Sequence, residues 1–449
     1  MSERSVLLIV MSTSFLAPFM ASSINLALPT IGREFSADPI LLSWIASSYI
    51  LGAAAFLMPF GRLADIIGRK KIYLSGIIFF SLFTLLSGTA DSLSMLLAFR
   101  VAQGIASAML FSTGIAILTS VFPAAKRGYA LGLTTGSTYV GLSLGPVLGG
   151  FLNYQFGWRS LFFFSAVFAA LTAVFAMRRL QGEWREASGE HFDWPGAFSY
   201  TAGITLTLYS LSSFSTLAHS AYWLALGLFL LAAFLYYEAR QASPLLPVRL
   251  FCNNPLFAFS NLAALINYSA TFAVSFLLSL HLQLIRHLDS AQSGLILLAL
   301  PLFMALFSPL AGRLSDRLQP ALIASWGMAL SALGLFFFTF LLADSPLALI
   351  LVNLTLVGLG FALFSSPNTN AIMSSVEKKH YGVAASTLAM MRLTGQAVSM
   401  AIVTLLFSLH SSSENTSALL LQSSHNAFLI FTALCTCGIF ASLARGKRQ

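Results

Sequence analysis

Charge is scarce in this chain: Asp, Glu, Lys and Arg make up 9% of its 449 residues, where soluble domains carry about 25%. A water-soluble fold is excluded, because so few charges cannot clothe a surface this size. Cysteine is nearly absent as well. Cys252, Cys435 and Cys437 offer no spacing for a disulfide framework or a zinc site, so no metal is expected. Also missing are a G-x-x-x-x-G-K-(S/T) phosphate loop, an H-E-x-x-H pair and a G-x-S-x-G nucleophile turn. ATP drive drops out, no cofactor is expected, and nothing marks the chain as an enzyme.

Apolar residues fill the space: 57% of the chain, with 40 Phe, 31 Gly and 15 Pro. A helical membrane span needs about 20 consecutive apolar residues. Such runs recur from end to end and are continuous, which argues for helices over a β-barrel. Breaks between them predict spans at 6–31, 41–61, 72–90, 94–122, 128–152 and 157–177, then 194–215 and 220–240, then 256–283, 291–311, 320–342, 346–374, 381–409 and 424–443. The expectation is an all-α polytopic membrane protein with fourteen spans grouped six, two and six.

The basic residues orient it. With an even count and the N-terminus inside, 19 of the 24 Lys and Arg fall on the cytoplasmic side, among them Arg62, Arg69, Lys70, Lys71, Arg313, Arg317, Lys447 and Arg448. Arg33, Arg159 and Arg286 fall outside, and Arg100 and Arg392 lie within spans. Both termini are therefore expected in the cytoplasm. The net charge of +9 is accounted for by topology, which removes nucleic acid as a partner. The first run is too long for a signal peptide and no A-x-A pattern follows it.

An internal repeat is visible. Gly61-Arg62-Leu63-Ala64-Asp65 follows the second span, and Gly312-Arg313-Leu314-Ser315-Asp316 stands 251 residues later in the equivalent loop. This predicts two related six-helix bundles, 1–190 and 251–449, with an inserted helix pair in 191–250.

Three strings carry the functional reading. The loop from Gly61 through Asp65, Gly68 and Arg69 to Lys71 resembles the signature G-x-x-x-D-x-x-G-R-(K/R)-(K/R) of the major facilitator superfamily. Arg100-Val101-Ala102-Gln103-Gly104 resembles that superfamily's R-x-x-Q-G motif, and Gly141 through Gly145-Pro146 to Gly149-Gly150 resembles the G-x-x-x-G-P-x-x-G-G string of its exporting antiporters. Phe156-Gly157-Trp158-Arg159, the inserted pair, and the stretch from Gly358 through Pro367 to Gln396 are similar to the fourteen-span drug:proton antiporters. The resemblance implies two halves that rock about a midplane site, a lipid bilayer and protons as partners, and a monomer at work in the cytoplasmic (inner) membrane of a bacterium.

Asp65, with Arg62, Gly68 and Arg69, and its echo Asp316 with Arg313 are expected to set the balance between inward-open and outward-open states. Gly141, Gly145, Pro146, Gly149 and Gly150 are expected to shape a close helix interface. A charge at membrane depth ordinarily faces a cavity or a partner, so Arg100 and Arg392 are cavity candidates, with Asn25, Gln103, Tyr139, Asn267, Tyr268, Asn368 and Gln396; for each polar residue taken alone, helix packing is the competing reading.

One acid is missing. The family commonly has an aspartate before the N-x-A-L-P string of its first helix, and here Met20 stands before Asn25-Leu26-Ala27-Leu28-Pro29. Every one of the fifteen acids falls in or beside a predicted loop. Glu34, Asp38 and Glu238 remain as proton candidates, while His281 and His287 read as interfacial. The expected function is secondary export of a small amphipathic compound by proton antiport, with an organic-anion exchanger or uniporter as the alternative and a non-transporting sensor behind both.

Overall fold

The computed structural model describes residues 3–36, 39–212, 220–241, 243–246, 248–288, 290–409 and 416–445. Asp38, Lys447, Arg448 and the predicted break near 216–219 lie outside them.

Every described regular element is a helix. The first half contains α1 (Glu3–Phe35), α2 (Pro39–Ile67), α3 (Arg69–Gly88), α4 (Leu93–Val121), α5 (Ala124–Leu144), α6 (Gly150–Phe156) and α7 (Arg159–Arg179). The inserted hairpin is α8 (Trp194–Ser212) and α9 (Ser220–Glu238). After the short α10 (Arg249–Asn253) come α11 (Pro255–Thr271), α12 (Val274–Leu280), α13 (Ser290–Leu297), α14 (Ala299–Arg317), α15 (Pro320–Phe338), α16 (Leu347–Ser374), α17 (Tyr381–Leu409) and α18 (Thr416–Leu443).

Twelve helical segments among the described residues are long and apolar enough to cross a membrane. The two further long helices, α5 and α8, are diluted by Gly, Ser and Thr. Hydropathy alone thus gives twelve spans against the fourteen expected. The surface has the character of a lipid-facing one: Phe198, Tyr222, Phe229, Trp326 and Phe440 are all exposed, which water would penalise and hydrocarbon does not.

Within the first half α2 and α3 pack on α4, and α1 packs on α5; within the second, α14 and α15 pack on α16, and α11 on α17. The halves meet through α5 against α14 and α2 against α17, with α8 lying on both α2 and α17.

Pro146 explains the break in α5. It has no N–H to give the Leu142 carbonyl, and the helix passes through a π turn over Gly145–Gly149. Ser22 on α1 supplies the missing donor, its Oγ 3.1 Å from the Leu142 oxygen, and Ser23 Oγ donates to the Gly145 carbonyl at 3.2 Å. Such an approach needs glycine: a methyl on Gly145 would lie 2.5 Å from Ser22 Cβ, and one on Gly149 2.5 Å from Ser23 Cβ. Gly141, Gly145 and Gly149 therefore face α1 inside the first half, and Gly150 opens α6.

Candidate functional site

Asp65 closes the end of α2 and is fully buried. Its carboxylate accepts Arg69 Nε at 2.8 Å, from one helical turn away, and the Gly382 and Val383 N–H groups at 3.1 and 3.3 Å. Those N–H groups belong to the first turn of α17, where no intrahelical acceptor exists and the helix dipole favours an anion. Arg69 in turn donates to Ser120 Oγ at 2.8 Å and to the Lys378 carbonyl. Acid and cation from the first half thus hold the start of a helix in the second.

The repeat performs the same act in reverse. Asp316, at the end of α14, accepts the Gly128 N–H at 2.6 Å and the Tyr129 N–H at 2.9 Å near the start of α5. Arg313 lies over the Tyr129 ring, 4.2 Å from its centroid. From the Asp316 cap a seam runs along α5 and α14 that the motif reading missed. Gly128, Gly132 and Gly136 line the face of α5 toward α14, where a methyl on Gly132 would sit 2.5 Å from the Ser308 carbonyl oxygen and 3.2 Å from Gly312 Cα. Their four-residue spacing was the available signal.

The loop after α7 was also read only as a polar break. It straps the Asp65 end: Glu183 Oε1 accepts the Lys70 N–H at 2.8 Å, the Trp184 carbonyl accepts the Arg69 N–H at 3.1 Å, the Ala187 N–H donates to the Asp65 carbonyl at 3.1 Å, and Glu190 pairs with Arg62. Gly68, at φ 125°, makes the turn beneath it.

Arg100 lies inside the first half, 2% exposed. Its Nε donates to the Ile45 carbonyl at 2.9 Å, its Nη1 to Gln103 Oε1 at 2.5 Å, and its guanidinium lies over the Tyr49 ring at 4.6 Å. Gln103 Nε2 donates onward to Thr84 Oγ1 at 2.5 Å. This network binds α4 to α2 and α3, so Arg100 and Gln103 are placed in helix packing. Asn267 and Asn368 are buried too, Asn368 donating to the Ser260 carbonyl at 3.2 Å across α11 and α16. Asn25 is exposed on α1.

Three of the predicted residues converge between the halves. Tyr139 from α5 and Tyr268 from α11 both meet Phe361 of α16 edge-on, at 5.9 and 5.2 Å. Arg392 of α17 reaches across to the Phe111 ring of α4 at 5.0 Å and lies within electrostatic range of the Tyr49 and Tyr139 hydroxyls. It is half-buried, and no salt bridge among the described residues reaches it. Gln396 lies one turn further along the same face of α17. Tyr49, Phe111 and Phe361 escaped notice because an aromatic in an apolar helix gives no sign of which way it points.

Two readings are corrected. Glu34 is engaged: it accepts the Trp158 indole N–H at 2.7 Å and Arg159 Nη1 at 2.8 Å. The indole N–H, with Arg159 behind it, holds its carboxyl below the ordinary glutamate range. His281 is buried, 2% exposed, because the helix runs on through a π turn to Ile285 and carries the ring into the second half's core.

A two-half helical bundle with repeated caps at one end and a charged aromatic site between the halves defines a membrane transporter. The chain belongs to the Major Facilitator Superfamily, whose family model matches residues 10–251 and 260–448. It is 29% identical over 443 residues to the riboflavin transporter RibZ of Clostridioides difficile strain 630, covering 98% of this chain and 96% of that one. It is 32% identical over 415 residues to the cephamycin export protein CmcT of Amycolatopsis lactamdurans, covering 90% and 84%. The fold matches the crystal structure of the human organic anion transporter MFSD10 with a TM-score of 0.74 at 16% identity, over 98% of this chain and 100% of that one.

Proposed function

We propose that the protein exports a small amphipathic compound bearing an anionic or strongly polar group, by alternating access and at the expense of a proton gradient. The observation that carries this is Arg392: a half-buried guanidinium with no acidic partner among the described residues, over the Phe111 ring and in the field of Tyr139, whose own ring meets the Phe361–Tyr268 pair. Aromatic walls take up the apolar body of a solute, and the guanidinium matches a carboxylate or phosphate. Relatives named for riboflavin transport, cephamycin export and multidrug resistance support a compact organic substrate.

On this reading all fourteen long helices cross the bilayer, α5 with α6 and α8 included, and both termini lie in the cytoplasm of a bacterium whose inner membrane holds the protein as a working monomer. Residues 1–190 and 251–449 are the moving halves and 191–250 the insertion. The caps of Asp65 and Asp316 then belong to a state closed to the cytoplasm.

The test is efflux of an anionic dye and of ethidium from expressing cells, with and without a protonophore, for the native protein and Arg392→Gln. Protonophore-sensitive efflux of the anionic dye that the variant loses is expected. Anionic-dye efflux that Arg392→Gln leaves unchanged would overturn the assignment of Arg392, and ethidium serves as the cationic comparison. The organic-anion carrier without proton coupling is favoured by the same unpaired cation, and anion movement indifferent to the protonophore would select it.

A further inference from the structure

The inserted hairpin contains a second ionisable site that transport through the centre leaves unused. Asp193, just before α8, and Glu238, the last residue of α9, are brought together at the open end of the hairpin, where its two legs enter and leave. Glu238 is 1% exposed. One of its oxygens, Oε2, accepts the Leu246 N–H at 2.9 Å. Asp193 Oδ1 accepts the Gly196 N–H at 3.0 Å and faces the Tyr237 hydroxyl at 3.5 Å. The other two oxygens, Glu238 Oε1 and Asp193 Oδ2, are buried and receive no donor from the protein. Both press against Gly196, where a methyl would collide with each.

No cation resolves the pair. Among the described residues, no salt bridge reaches either acid. Arg62 of α2 is paired with Glu190, and His380 at the foot of α17 lies in the field of those two. Arg240, just past Glu238, lies over the Tyr236 ring at 4.0 Å. His191 is exposed, and where α8 meets α17 the contact is Tyr200 with Met390 Sδ at 3.3 Å, which carries no charge. Two carboxylates in this setting repel each other at close range with backbone donors but no cation to offset them.

We propose that Asp193 and Glu238 form a proton-binding carboxyl pair, holding one proton between Asp193 Oδ2 and Glu238 Oε1. The proton enters from and leaves to water at the hairpin's open end, opposite the turn between α8 and α9. Its loss leaves two facing anions, which separate and loosen the grip on the Leu246 segment that leads into the second half. The hairpin can pass that change on, because Tyr200 Oη donates to the Ala54 carbonyl of α2 at 2.9 Å while touching Met390 of α17. A role in proton coupling rests on the proposed export; the proton site itself does not.

The test is thermal unfolding of the purified protein in detergent, from about pH 5 to about pH 9, for the native chain, Glu238→Gln and Asp193→Asn. Either amide supplies a permanent donor in place of the proton. The native protein should lose stability as pH rises through the titration of the pair, the folded-to-unfolded ratio falling by up to about tenfold per pH unit. Both variants should flatten that slope, and the one that accumulates better suffices if the other fails to fold. Parallel slopes in native and variant proteins would overturn the site. Flattened slopes with unchanged protonophore sensitivity of efflux would leave the proton site standing and remove its coupling role.

Discussion

A carboxylate with no exposure depends on its charge being met on every side, and Asp65 meets Arg69 together with two helix-start N–H groups. Asp65→Asn keeps the shape and removes the charge. Hydrogen bonds to a charged group contribute about 1.5–3 kcal/mol, so the ratio of closed to open states should fall about ten- to a hundredfold. Transport should drop while membrane abundance holds; full transport by the variant would refute the latch. Arg100 and Arg392 separate by their partners. Arg100→Gln breaks a buried network and should lower thermal stability by about 1–3 kcal/mol, whereas Arg392→Gln should leave the melting temperature in place and cost transport. Glu34 carries a pH prediction. Its folded carboxyl titrates below its unfolded one, so its contribution is present above the ordinary glutamate range and is lost as pH falls through the folded value. Glu34→Gln should flatten the acid limb of the stability curve, and an unchanged limb would contradict the assignment. What the sequence alone could not distinguish was the two arginines. Each stands in an apolar helix whose outward face and packing face have the same composition, so depth was legible and direction was not.

Helix α5 shows how much of an element can be read in advance. The motif Gly141 to Gly150 forecast close packing, which occurs against α1, while Pro146 opens a π turn whose stranded carbonyl Ser22 rescues. Ser22→Ala should cost about 1 kcal/mol of stability, measurable by thermal unfolding, because the Leu142 carbonyl is then left without a donor. The second glycine face, toward α14, went unread because its signal, three glycines four apart, lay outside the string that drew attention. Gly132→Leu should force α5 from α14 and shift the protein toward the opposite state; cysteine accessibility at the Asp65 end would report the opening, and unchanged accessibility would show that the seam tolerates bulk. Most helix ends were legible to within a few residues because charges and prolines stop apolar runs. Helices α2 and α14, however, run on past the expected stops at 61 and 311 to Ile67 and Arg317, and α18 begins at Thr416, ahead of the expected 424. The crossing status of α5 and α8 was not settled by hydropathy, since the small polar residues that let helices approach also dilute the apolar signal.

For the whole molecule, the repeat of Gly61–Asp65 in Gly312–Asp316 was the most informative feature of the sequence, and it announced equivalent loops. Their joint action could not be read there: a pentapeptide does not name the helix start it caps, and only the fold brings Asp65 to α17 and Asp316 to α5. The same holds for Asp193 and Glu238, 45 residues apart in sequence and adjacent in space. The crosswise caps carry a consequence for symmetry. Each half presents one acid and one receiving helix start, so each contains both members of the contact it makes. A bundle so equipped satisfies the condition for pairing with a copy of itself about a two-fold axis. The orientation of the two halves is therefore specified by their own surfaces, and the covalent link between them, interrupted here by a helical hairpin, is free to lengthen without disturbing the docking.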